Sequence, residues 1–113
     1  GASNFVAGAV NVISLTPAGP SELGGVSISI AGFAAGAVIT VRIFKMTNGV
    51  EDLIQTYTRI AGTDPNGLMI IDSPDIIDGT GALNSWRVSL QSNNAADVAV
   101  APRYQYTLKR IGA

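Results

Sequence analysis

No stretch of this chain keeps an apolar residue at every third and fourth position for three helical turns, and glycine or proline interrupts it throughout. Thirteen glycines and five prolines divide the 113 residues into short runs, several of which alternate apolar with polar side chains. That punctuation predicts an all-β chain: one domain over residues 1–113, an antiparallel β-sandwich of jelly-roll or immunoglobulin-like type with about seven to eight strands. Strands are expected near Phe5 to Leu15, Val26 to Ile30, Val38 to Met46, Glu51 to Ile60, Leu68 to Ile71, Trp86 to Gln91 and Tyr104 to Ile111, with a short one over Val98 to Val100.

Side-chain period assigns the faces. In "VSISI" Val26, Ile28 and Ile30 share one face and Ser27 and Ser29 the other, because successive side chains of a strand point to opposite sides. By the same rule Trp86, Val88 and Leu90 point inward and Arg87, Ser89 and Gln91 outward. Near the C-terminus Tyr104, Tyr106 and Leu108 are expected inward, opposite Gln105, Thr107 and Lys109.

Two segments break the pattern of one dry and one wet face. In "VITVRIFKMTNGVEDLIQTYTR" the Asn48-Gly49 pair predicts a two-residue type I′ turn. Counting back from it pairs Lys45 with Asp52, Ile43 with Ile54, Val41 with Thr56 and Ile39 with Thr58. The opposite face then gathers Phe44, Leu53, Arg42, Tyr57 and Arg59. Aromatic residues and arginine with few lysines are the composition of subunit-interface cores. This face is covered either by the chain's own loops or N-terminal arm, or by another subunit. The second segment is the N-terminal run, where Phe5, Ala7, Ala9, Ile13 and Leu15 alternate with Val6, Val10 and Val12. It reads as a strand buried on both sides, or as an arm within residues 1–20 that lies on a neighbour's sheet.

Composition narrows the chemistry. The chain is 47% hydrophobic and 13% charged, against about 25% charged for an average soluble domain, so much of its surface is uncharged. Seven basic and eight acidic residues give a net charge of −1, which argues against nucleic acid as a partner, because phosphate neutralisation needs clustered Lys and Arg. No apolar run is long enough for a membrane-spanning helix. Histidine and cysteine are both absent, which removes the commonest general base, the base of a Ser-His pair, thiolate chemistry and the usual transition-metal ligands. The one acidic cluster, Asp64, Asp72, Asp75 and Asp78, sits in a turn-rich connection without the dense spacing of a Ca²⁺ loop. These Asp residues are expected to hold turns through their own backbone. The "GTGALN" segment at 79–84 precedes a strand and reads as a tight turn, while Ser73-Pro74 has the start signal of one helical turn. No catalytic, cofactor-binding or metal-binding residue is expected, and the chain does not read as an enzyme.

The segments "AAGAVITVRIFKMTNGVEDLIQTYTRIAG" and "WRVSLQSNNAADVAVAPRYQYTLKR" resemble small β-sandwich structural proteins of tailed phages and other prokaryotic viruses. In those proteins a strand of the type T-V-R-I-aromatic-K, one of the type L-I-x-T-Y-T, one of the type V-x-L-Q and a final alternating aromatic strand follow in that order. The resemblance covers about residues 34 to 110. The glycine- and threonine-rich loop that follows V-x-L-Q in the family is here "SNNAADVAVAP". The resemblance implies a noncatalytic virion component, a capsid, decoration or coat subunit.

The expectation taken to the structure is therefore a structural assembly protein of a virion or extracellular assembly. Its partners would be copies of itself and a major capsid or shell protein. The candidate contact residues are Arg42, Phe44, Leu53, Tyr57, Arg59, Phe5, Val6, Val10 and Val12. The alternatives are an extracellular filament subunit and a glycan-binding module of a fibre.

Overall fold

A computed structural model describes residues 3–16, 19–69, 75–77 and 84–111. Within them the chain forms eight strands and no helix. These are β1 (Val10–Leu15), β2 (Ser21–Ser29), β3 (Val38–Thr47), β4 (Val50–Ile60), β5 (Gly67–Met69), β6 (Asp75–Ile77), β7 (Ser85–Ser92) and β8 (Arg103–Arg110). They make two antiparallel sheets. The first runs β1-β7-β3-β4. In the second, β2 is central: β8 lies along one of its edges, while β5 and β6 share the other end to end.

The core lies between the sheets. Ile39, Val41 and Ile43 of β3 and Trp86, Val88 and Leu90 of β7 meet Leu23, Val26 and Ile28 of β2, and all are buried. This is the two-layer sandwich that the alternating strands predict, since each sheet's apolar face can leave water only against the other. Phe5 and Phe33 close one end, with ring centres 5.2 Å apart and nearly edge to face.

Three β-bulges interrupt the alternation; the inward face expected for Val26, Ile28 and Ile30 stands, and the bulges in β1 and β4 account for the faces that alternation misassigns. An extra residue in one strand shifts every later side chain to the other face. In β1 the register against β7 slips between Asn11 and Ile13, so Val10, opposite Leu90, and Ile13, opposite Val88, share the core side. In β2 it slips between Gly24 and Ser27. Gly25 there has φ 59°, a conformation that glycine adopts without a side-chain clash, and Leu23 and Val26 both face inward. In β4 it slips at Ile43/Phe44, leaving Ile54 without an opposite residue. The N-terminal run and the hairpin look apolar on both sides because a bulge divides each into two phases.

Boundaries differ from expectation where side chains compete for the backbone. The strand expected from Phe5 starts at Val10, because Asn4 Oδ1 accepts from the amides of Val6 and Ala7 at 3.0 and 3.1 Å and turns the chain there. In place of a strand over Val98 to Val100 there is a single bridge between Ser3 and Val100. The second strand begins at Ser21 rather than Val26, its Gly24-Gly25 pair serving as the bulge. The expected helical turn at Ser73 and the turn at 79–83 fall outside the described residues. Asp75 belongs to β6, which was not expected as a strand.

Candidate assembly surface

The hairpin turn is as expected. Asn48 has φ 51° and Gly49 φ 85°, the left-handed pair of a type I′ turn, and Asn84 Oδ1 accepts from the Asn48 amide at 3.2 Å. From it Lys45 pairs with Asp52 and Phe44 with Leu53. Beyond the bulge every partner moves by one: Ile43 meets Gln55, Arg42 Thr56, Val41 Tyr57 and Ile39 Arg59. The expected five-residue face is therefore split. Arg42, Phe44 and Leu53 lie on the outer face of the first sheet. Tyr57 and Arg59 lie on its core side, where Tyr57 packs against the core and the Arg59 guanidinium sits 5.8 Å from its ring centre.

The outer face is held by Arg87 of β7, opposite Phe44. Its guanidinium carbon stands 3.7 Å from the Phe44 ring centre. Nε and Nη2 donate to the two carboxylate oxygens of Glu51 at 2.9 and 2.7 Å, and Nη1 donates to Asn11 Oδ1 at 2.9 Å. One side chain thus joins β1, β7, β3 and β4. The hydrogen bond from Arg87 holds the Glu51 carboxyl below its ordinary range, with a smaller charge–charge contribution in the same direction and partial burial opposing both. The same hydrogen bond raises the Arg87 guanidinium. Farther along, Arg42 Nη1 donates to Gln91 Oε1 at 3.3 Å, and Ser89 between Arg87 and Gln91 is buried. The middle of this face is closed by the chain's own side chains. Leu53, 52% exposed, lies at its open border.

The N-terminal candidates fall inside the chain's own sandwich. Phe5 is fully buried, and Val10 and Val12 pack against the core. Val6 is half-buried beside Val38, Thr40 and Asn93. Val10–Leu15 thus form an edge of the chain's own first sheet, and Phe5 before them is part of its own core.

Sequence reasoning missed the open side of the last strand. Tyr104, opposite Ile28, and Leu108, opposite Leu23, do lie on the core side of the second sheet. Yet Tyr104 is 49%, Tyr106 37% and Leu108 39% exposed. The alternation was legible; that β8 overhangs the sandwich was not, because overhang depends on where the other sheet ends. The Tyr104 and Tyr106 rings stack nearly parallel, 6.3 Å apart. On the opposite, outer face of the same strands Ser27, Ser29, Arg103 and Gln105, with Gly67, line an open groove of about 440 Å³.

Of the acidic cluster, Asp64 Oδ2 accepts from the Ile60 amide at 2.7 Å, a turn contact of the expected kind; Asp72 and Asp78 lie outside the described residues. Among the described residues no group of three carboxylates that could hold a metal ion occurs, nor does a helix long and apolar enough to cross a membrane. Among the described residues the buried acid is Asp97, in the loop between β7 and β8. Its Oδ1 accepts from the Ala34 amide at 2.9 Å and its Oδ2 from the Ser92 hydroxyl. Its main chain accepts from the Phe5 amide. Asp97 thus ties three segments at one end of the sandwich, which is a structural role.

These features define an antiparallel β-sandwich with two uncovered apolar edges. No family model, curated protein or solved structure matches the chain.

Proposed function

We propose that the chain is a structural assembly subunit, repeated in a virion shell as a capsid, decoration or coat component. One observation carries this reading: the distribution of exposed large apolar side chains. Among the described residues, Val50, Leu53, Ile54 and Ile60 lie on β4, Tyr104, Tyr106 and Leu108 on β8 and Ile111 just after it, with Val98 elsewhere. Apolar exposure concentrated on sheet edges marks surfaces that other chains cover. The low charge of the whole chain favours the same reading, as does the resemblance to virion β-sandwich proteins. Measuring the native mass of the purified chain over a concentration series tests it. Growth beyond 11.6 kDa is expected, and a chain that stays monomeric at millimolar concentration overturns the proposal.

A second reading, a glycan-binding module, draws on the outer-face groove of the second sheet, where the Ser27 and Ser29 hydroxyls, the Gln105 amide and the Arg103 guanidinium converge. Binding of the isolated monomer to a glycan array, abolished by Arg103→Ala with Gln105→Ala, would select it.

A further inference from the structure

We propose that β4 of one copy pairs antiparallel with β8 of the next, so that copies join head to tail. This deepens the assembly reading above and rests on it. Among the described residues β4 is hydrogen-bonded only to β3 and β8 only to β2. Among these residues each therefore presents backbone donors and acceptors along most of its 11 and 8 residues respectively; near the end of β4 the Thr58 carbonyl accepts from Arg59 Nη1 and the Ile60 amide donates to Asp64. An edge of this kind takes an added strand readily.

The two edges lie at diagonal corners of the sandwich. In the first sheet β4 is at the far end from β1. In the second, β8 is on the β1 side, since Asn11 and Val12 line one cavity with Tyr104 and Pro102. Diagonal edges can be satisfied together in a chain of copies, each continuing its neighbour's sheet. Contacts of that geometry repeat until a ring closes or a filament grows.

Charge selects the partner and the direction. β8 carries Arg103, Lys109 and Arg110 and no acid. A two-fold pairing of β8 with itself about Tyr106 sets Arg103 against Lys109 twice, and like charges directly opposite are destabilising. β4 paired with itself brings two copies of the Ile54 bulge close to the two-fold axis, where the ladder is most disturbed, and leaves β8 uncovered. Antiparallel pairing of β4 with β8 instead brings Glu51 and Asp52 to Lys109 and Arg110. Parallel pairing would set Arg59 against those same cations. With core sides kept together, Tyr57 falls opposite Tyr104, Thr58 opposite Arg103 and Glu51 opposite Lys109. One kind of contact then covers both apolar edges.

Two variants test this. Leu53→Lys with Thr56→Lys makes β4 repel β8, and Gln105→Glu with Lys109→Glu makes β8 repel β4. All four positions are exposed. Neither variant alone should grow beyond a monomer. Their equimolar mixture should grow well beyond the 11.6 kDa chain mass, the two variants alternating, because the unaltered edges still fit each other and the added lysines stand against the added glutamates. Dimerisation of either variant alone would show a two-fold contact and overturn the inference. If the unaltered chain assembles but the mixture stays monomeric, or the variants assemble as the parent does, another surface joins the copies. The inference then falls and the assembly reading stands. If the unaltered chain is itself monomeric, both fall. Should either charged variant misfold by circular dichroism, cysteine pairs replace it, since the chain has no cysteine. Thr58→Cys chains mixed with Arg103→Cys chains should yield the mixed disulfide at well above the share that random pairing gives, and a random distribution of the three would overturn the pairing.

Discussion

Asp97 is the acid whose loss should cost the fold most. It is 2% exposed, and both carboxylate oxygens accept hydrogen bonds, from the Ala34 amide and the Ser92 hydroxyl. Asp97→Ala leaves those donors without acceptors in a site water does not reach, which costs about 1 to 3 kcal/mol. Urea unfolding should show that loss, and an unchanged midpoint would mean the loop is held by other contacts. Asp97→Asn keeps one acceptor and should lose less. Glu51 behaves differently because its ion pair with Arg87 stands near the surface, both side chains being about 30% exposed. Its carboxyl is held below the ordinary range, so the stability it lends is fully present above the unfolded carboxylate pKa, about 4.3, and is lost as pH falls through the lower folded value. The guanidinium is charged across that whole window. Solvent screening keeps the contribution under about 1 kcal/mol. Glu51→Gln should flatten the corresponding part of the acid-unfolding curve without moving the neutral midpoint by more than that.

The bulges and the turn set where each strand's side chains go. The β3–β4 hairpin pairs as the turn dictates for its first four rungs, from Thr47 and Val50 to Phe44 and Leu53, and then Ile54 shifts the phase. The shift carries Tyr57 and Arg59 to the core side and leaves Leu53 and Ile54 exposed. Asn48 and Gly49 both hold positive φ, and a β-branched side chain at Gly49 would be strained. Gly49→Val is therefore expected to lower stability by about 1 to 2 kcal/mol. Thermal melting checks this, and an unchanged curve would mean that the turn relaxes to another type without cost. β1 obeys the same logic: its bulge lets Val10 join Ile13 and Leu15 against β7, which makes the run an edge of its own sheet.

At the scale of the molecule the sandwich is closed at its centre and open at two corners. The N-terminal residues belong to the closed part, since Phe5, Ile13 and Leu15 are core residues and β1 pairs with β7 along its length. Removing residues 1–16 should therefore unfold the chain at any concentration, because burial of one large apolar side chain contributes about 1.5 to 3 kcal/mol and three are lost together. A truncated chain that keeps its β-sheet spectrum and its melting transition, and fails only to assemble, would identify the run as an arm serving a neighbour. β4 and β8 belong to the open part, where substitutions should leave folding intact and alter association.

Local chemistry sufficed for the all-β class, the type I′ turn and the inward faces of β3 and β7. Each of these depends on residues adjacent in sequence: the Asn48-Gly49 pair, the period of two in Trp86, Val88 and Leu90, and the absence of any helical stripe. The outward position of Arg87 was legible in the same way. Its partners Glu51 and Asn11 were not, since they come from β4 and β1 and meet it only when those strands flank β3 and β7. Phase was lost at the bulges of Val12 and Ile54, because one unpaired residue inverts a pattern of period two and only the partner strand reveals which residue is unpaired. Exposure of the β8 tyrosines lay beyond sequence for a related reason. Alternation says which side of a strand is apolar, but whether that side is covered depends on where the facing sheet ends. That limit is set by the sandwich as a whole, and it leaves Tyr104, Tyr106 and Leu108 of β8, like Leu53 and Ile54 of β4, open to water in the single chain.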